Sequence, residues 1–177
     1  MREANLKEEW LDLVDEQDNV IGSMSRSEAY QKKMFSSLRS TWLMIKNSQN
    51  QLWIPRRRFD KKMLPGALDG SVVGHVSAGE TYEQALIREA VEEVGIDLTQ
   101  LDYRFVGKLN PHVDNGFCFA AVYEVCLEDV PNWNRDDFVE FYWLTPQEII
   151  NRLTAGDSAK DQLSIILKKF YLKSDRS

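Results

Sequence analysis

Histidine and cysteine are scarce in this chain, with two of each among 177 residues. The histidines, His75 and His112, offer no cluster that could share a metal or relay protons. The cysteines, Cys118 and Cys126, fall in one predicted strand, which would separate them by roughly 26 Å, too far for a disulfide. Two packed thiols in a reducing compartment are expected. Positive charge is also in deficit: 22 Lys and Arg against 28 Asp and Glu give a net charge of -6, and the pI is near 5.0. Broad binding to nucleic acid or to anionic membranes needs a basic surface, so both are excluded as partners. No apolar run approaches membrane-spanning length, and the acidic start MREANLKEE is no signal peptide, which together predict a cytoplasmic protein. What is present suits one compact domain with an ample core: 43% of the residues are apolar and 11% aromatic.

The densest stretch runs from Gly74 to Ile96, GHVSAGETYEQALIREAVEEVGI. Thr81 and Gln84 fit a capping box, and Gly95 fits the left-handed residue that ends a helix, so the spacing predicts a helix over about Thr81 to Val94. Ile87, Ala90, Val91 and Val94 fall at the interval of one core-facing stripe. Glu89, Glu92 and Glu93 fall on roughly the opposite side, with Arg88 alone placed to relieve their repulsion. Three carboxylates within one turn are either a solvated acidic face or a set of hard oxygen ligands suited to magnesium.

This stretch resembles the signature of the Nudix hydrolases, Gly-x5-Glu-x7-Arg-Glu-U-x-Glu-Glu-x-Gly-U with U aliphatic. The matching residues are Gly74, Glu80, Arg88, Glu89, Ala90, Glu92, Glu93, Gly95 and Ile96. Seven fixed identities at fixed spacing would arise by chance on the order of once in a million chains of this size. Ala90 is smaller than the usual aliphatic residue, and Val73 stands where many members carry a second glycine, but neither departure removes a charged group.

The resemblance implies an α/β fold, an α/β/α sandwich with a mixed central sheet, and hydrolysis of a diphosphate linkage by water. Glu89, Glu92, Glu93 and the Gly74 carbonyl would hold magnesium, with manganese as a substitute. Arg88 would orient Glu92 or a neighbouring carboxylate, Glu89 would accept the water's proton, and Glu80 would brace the motif. The expected partner is a small-molecule diphosphate, such as a nucleoside diphosphate linked to another group. Homodimer formation, common among relatives, is a further expectation.

Along the chain, Trp10 to Asp15 and Val20 to Met24 alternate like a hairpin, and Ser25 with Glu28 predicts a short helix from Arg26 to about Met34. Residues 1–37 are thus expected as an extension within the same domain as the hydrolase portion, 38–177. The run DEQDNVIGSMSRSEAY is similar to the leader of the Nudix branch that includes isopentenyl-diphosphate isomerase. That enzyme has a histidine near the position of Leu38 and a cysteine near Ser71 or Val72. This chain has neither, so the shared leader points to shared architecture without the isomerase's acid/base groups. A non-catalytic nucleotide sensor is the other alternative, which the intact acidic triad opposes.

Ser40 to Lys46 and Gln51 to Arg58 read as strands of a hairpin, with Pro55 fitting only an edge or a strand end. Arg56, Arg57 and Arg58 follow it and are candidates to grip the diphosphate, the alternative being a solvated edge. His75 is expected to be structural. Tyr103 to Asn110, Gly116 to Glu128 and Val139 to Leu144 read as further strands, and Glu140 is a weaker ligand candidate. Thr145-Pro146-Gln147-Glu148 starts a helix to about Leu153, and Leu163, Ile166, Leu167 and Phe170 form a last amphipathic run.

Overall fold

A computed structural model describes residues 8–172. The chain opens with the antiparallel hairpin β1 (Trp10–Val14) and β2 (Val20–Ser25). Its turn is closed by Asp15, whose carboxylate accepts from the backbone N–H of Gln17 and Asn19, both at 2.9 Å. Helix α1 (Arg26–Gln31) starts where Ser25 Oγ accepts from Glu28 N. It ends earlier than the sequence suggests, because Lys33 adopts a left-handed conformation, φ 55°, that no helix can continue through.

The main sheet holds β3 (Arg39–Lys46), β4 (Leu52–Arg57), β5 (Val72–His75), β6 (Tyr103–Leu109), β7 (Phe119–Cys126) and β8 (Phe138–Leu144). Strands run in the order β6-β7-β3-β4-β8, with β5 also paired to β3. The β3/β7 pair is parallel and the others antiparallel, which makes the sheet mixed.

The expected β3/β4 hairpin pairs at a single position, Lys46↔Leu52. Beyond it β3 turns to β5 and β4 to β8, so the sheet splays open. The split explains why Pro55 sits inside β4 rather than at an edge. Its carbonyl accepts from Asp69 N at 3.0 Å, so the side of the strand where its missing N–H would point faces the 67–69 segment and not a ladder partner.

Helices cover both faces. On one, α2 (Tyr82–Val94) presses Leu86, Ala90 and Val94 onto Leu43, Ile45, Trp53 and Val72. On the other, α4 (Pro146–Thr154) and α5 (Leu163–Ile166), which runs on into a π-helical turn Leu167–Tyr171, bring Ile149, Leu163, Ile166 and Leu167 onto Trp42, Met44, Ile54 and Val122. The α/β/α sandwich is therefore the fold. A short helix α3 (Pro111–Asp114) occupies what reads in the sequence as a plain turn, capped by the Asn110 side chain at His112 N. The N-terminal hairpin seals one end with a third cluster of Leu11, Leu13, Ala29, Leu38 and Cys118. It is tied on by Ala78 N donating to Trp10 O at 2.8 Å. Both cysteines are free, but only Cys118 is buried; Cys126, at the end of β7, is exposed and not packed.

Candidate functional site

Helix α2 enters through a complete capping box, with Thr81 Oγ1 accepting from Gln84 N and the Gln84 side chain accepting from Thr81 N. It leaves through Gly95 at φ 65°, where a side chain would be strained. The buried stripe is Ala85, Leu86, Ala90 and Val94, while Val91 is 52% exposed, so the core-facing arc differs from the expected one. That rotation matters chemically. Glu89 and Glu93 are not on the far side of the helix; they flank the buried stripe and face a cavity of about 1050 Å³ between α2, β5 and the loops beyond β4. Of the three acids, Glu92 alone is well exposed, at 60% of its side chain.

Arg88 is the hub of the motif. It makes a two-pronged pair with Glu80 at 2.8 and 2.9 Å, donates to Glu89 Oε1 at 2.6 Å, and reaches the His75 carbonyl at 3.1 Å. Its contact with Glu92 is a looser 3.8 Å. Arg88 therefore serves Glu80 and Glu89 first, and these partners hold its pKa above even the usual arginine value. Glu80 is a brace, since its second oxygen also accepts from Ser77 N at 3.0 Å. Gly74 is required by space: a Cβ there would stand 2.1 Å from Glu89 Cδ, so the carboxylate lies directly over the glycine backbone.

Glu93 is the least compensated charge in the site. Its one hydrogen bond comes from Val73 N at 3.1 Å, and among the described residues no Lys, Arg or His pairs with it. Burial pushes its carboxyl up to about 8, with further upward push from Asp69 and Glu89 that the more distant Lys160 charge only partly opposes. Burial likewise raises Glu89, against the pull of Arg88. As these side chains stand, no three His, Cys, Asp or Glu among the described residues gather at one metal-holding point. The donor chemistry nevertheless fits a divalent cation. All donors are hard oxygens, the buried Glu93 carboxyl has no ion-pair partner among the described residues, Glu89 lies against the Gly74 backbone, and Glu92 lines the same cavity.

Across the cavity from α2, the three arginines separate. Arg56 donates to Asp157 through two bonds at 2.8 and 2.9 Å, to Glu140 at 2.8 Å and to the Gly66 carbonyl at 2.8 Å, and it does not line the cavity. Arg58 is exposed and paired with Asp60, also outside the lining. Arg57 does line it, held by Asp69 Oδ2 at 3.0 Å and the Met63 carbonyl. Glu140 is spent on Arg56 and the Tyr142 hydroxyl.

Other groups in and behind the lining gave little signal in the sequence. Lys160 lines the cavity and meets Asp69, 91 residues away, at 3.3 Å. Tyr30 reaches His75 Nε2 at 3.2 Å, beside the stacked rings of Phe35 and Phe117. Burial pushes the His75 imidazole down to about 3, so it is neutral at ordinary pH. The spacing that identifies the acids does not reach Asp69, Lys160 or Tyr30, which lie outside the motif stretch on two connecting segments and on α1.

Comparison with known proteins places the chain in a family and matches its fold. The model of the NUDIX domain matches residues 37–164. An uncharacterized Nudix hydrolase of Nostoc sp. is 42% identical over 92% of this chain and 96% of its own. An isopentenyl-diphosphate Delta-isomerase of Citrobacter koseri is 32% identical over 81% of each chain. Among solved structures, a crystal structure of a Deinococcus radiodurans protein superposes with a TM-score of 0.87 at 38% identity, over 93% of this chain and 100% of that one. Matched across most of its length in sequence and in fold, the protein belongs to the Nudix hydrolases, enzymes that cleave diphosphate linkages.

Proposed function

We propose that this chain hydrolyses the diphosphate linkage of a small molecule, a nucleoside diphosphate joined to another group or a close analogue, with magnesium as cofactor and manganese as a substitute. The observation that carries the reading is Glu93: a carboxyl buried beside the cavity with no Lys, Arg or His in ion-pair contact among the described residues, one helical turn from Glu89 and next to Glu92. Glu89, Glu92, Glu93 and the Gly74 carbonyl are the groups that would hold the metal. When bound, the metal supplies charge neutralisation on phosphorus and a more acidic water.

The chain's own groups do the rest. Glu89 keeps one oxygen on Arg88, and where the metal is held by the other groups and not by Glu89, its second oxygen is the acceptor for the attacking water's proton. Arg88, clamped by Glu80, holds Glu89 in place. Arg57 is the arginine of the three that is placed to donate to the phosphate oxygens; Arg56 and Arg58 support the scaffold and the loop.

An isomerase reading draws on the named relatives, but the acid/base groups it needs are not at hand. Ser71, where the cysteine would fall, donates to the Trp53 carbonyl at 2.6 Å and accepts from Ile45 N at 2.9 Å inside the core. Cys118 lines the cavity, yet burial pushes its thiol up to about 11.

The test is release of phosphate or monophosphate from a panel of nucleotide and non-nucleotide diphosphates, with magnesium, manganese or chelator. Turnover that needs the metal is expected. Conversion of isopentenyl diphosphate to its dimethylallyl isomer, without hydrolysis of any panel member, would sink the proposal.

A further inference from the structure

The wall opposite the acidic helix is built from three extended segments lying side by side. Arg56 bridges Leu68 in antiparallel fashion, and Leu68 bridges Ala159 in parallel. The backbone bonds Arg57 N to Ala67 O, Leu68 N to Ser158 O and Lys160 N to Leu68 O, at 2.8–2.9 Å, fasten the three together. Leu68 goes to the core, Arg57 and Lys160 line the cavity, and Asp69 lies behind them in contact with both.

There Asp69, only 2% exposed, is fully occupied. One oxygen accepts from Gly70 N at 2.9 Å, and the other takes both Arg57 at 3.0 Å and Lys160 at 3.3 Å. Two cations thus share one carboxylate, leaving a surplus positive charge on a wall that faces three glutamates. Asp69 is the only described hydrogen-bond partner of the Lys160 ammonium, which has three donors.

We infer that Lys160 is a substrate-binding residue, with Asp69 as the positioning residue that fixes it beside Arg57 to form a two-cation clamp on the diphosphate's non-bridging oxygens. The inference rests on the hydrolase reading and adds to it the part of the site that receives the substrate's negative charge. A lysine suits this place because its compact ammonium can stay on Asp69 with one donor and meet phosphate oxygens with the others.

The experiment is calorimetric binding of imidodiphosphate, whose P–N–P link resists hydrolysis, to the full chain at saturating magnesium. Lys160→Met should weaken binding by about tenfold to a hundredfold, as loss of a charge-assisted bond does, and Lys160→Arg should restore most of it. A second measurement needs no variant: acetylation of the wild-type protein followed by mass spectrometry. Imidodiphosphate should shield Lys160 and leave the exposed Lys62 unchanged. Equal affinity in the wild type and Lys160→Met, or equal labelling of Lys160 with and without the probe, overturns the role of Lys160 while hydrolysis by the wild type keeps the enzyme reading standing. Normal shielding in a protein that hydrolyses nothing would overturn the enzyme reading alone.

Discussion

Glu93 on α2 and Arg56 on β4 are opposite solutions to one problem, an ionisable group drawn away from water. Arg56 is matched by Asp157, Glu140 and the Gly66 carbonyl, and its side chain is 12% exposed. Glu93 has one backbone N–H and a neighbouring acid. An isolated buried charge is costly, so Glu93 holds its proton unless something outside the chain completes the carboxylate. The satisfied group is tied into the surrounding structure, and the unsatisfied one is where the proposed metal would be held. Reading a site by charge type alone would have put Arg56 in it; reading by what each charge still lacks leaves it out.

Four measurements would break or sharpen this contrast. The largest effect is expected at the acids: Glu92→Gln and Glu93→Gln should each cut metal-dependent turnover on the order of a hundredfold or more with the fold intact by circular dichroism. Turnover surviving in both would mean that neither acid holds the metal.

Next is the scaffold side. Arg56→Ala strands two carboxylates and should cost about 2–4 kcal/mol in denaturant unfolding. Arg58→Ala, on an exposed pair, should leave the melting curve unchanged. A rise in KM for Arg56→Ala larger than for Arg57→Ala would reverse the roles given to these two arginines.

A third effect is a pH dependence of the metal-free chain. Glu93 has a folded-state pKa near 8, above its ordinary 4.5, so the folded form holds the proton more tightly. Stability is therefore full below about 4.5 and is lost as pH climbs toward 8, the reverse of a salt-bridged acid. Melting temperatures from pH 5 to 8.5 should fall in chelator, fall less with magnesium, and be flatter in Glu93→Gln. An equal slope in that variant would locate the burden elsewhere.

The smallest effect is expected at Asp157, which the hydrogen bond from Arg56 holds below its ordinary 3.8. Its contribution is present above about 3.8 and disappears as pH drops through the folded value. The stability gap between wild type and Asp157→Asn should stay constant from pH 5 to 8 and close below pH 4. A gap that persists at pH 2 would show that shape, not charge, makes the contact.

The helix caps Thr81 and Gly95, the acids and Arg88 were legible in the sequence because each belongs to a pattern within one helical segment. The facing of α2 was not. Val91 lies on one side of Ala90 and Glu89 on the other, and hydrophobicity alone favours burying Val91; the cavity reverses that preference. Strand β5, four residues with a glycine, is too short for periodicity to declare, and its pairing with β3 shows only in three dimensions. Pro55 signals an edge, yet the sheet splits beside it. Asp69 and Lys160 are single charges in loops whose meaning depends on a contact 91 residues long.

The parallel pairing of β3 with β7 also constrains how the chain reaches this state. Ser40 bonds the Phe119 carbonyl 79 residues further on, and the pair forms an eight-residue register at the centre of the sheet. Closing so large a loop costs entropy before any ladder bond repays it, and contacts of such long sequence separation slow folding. During synthesis, one edge of β3 stays open until β7 has left the ribosome. The motif helix, by contrast, closes its own bonds within 13 residues, yet a helix that short is marginal alone, so its lasting order depends on the sheet that gives it a floor.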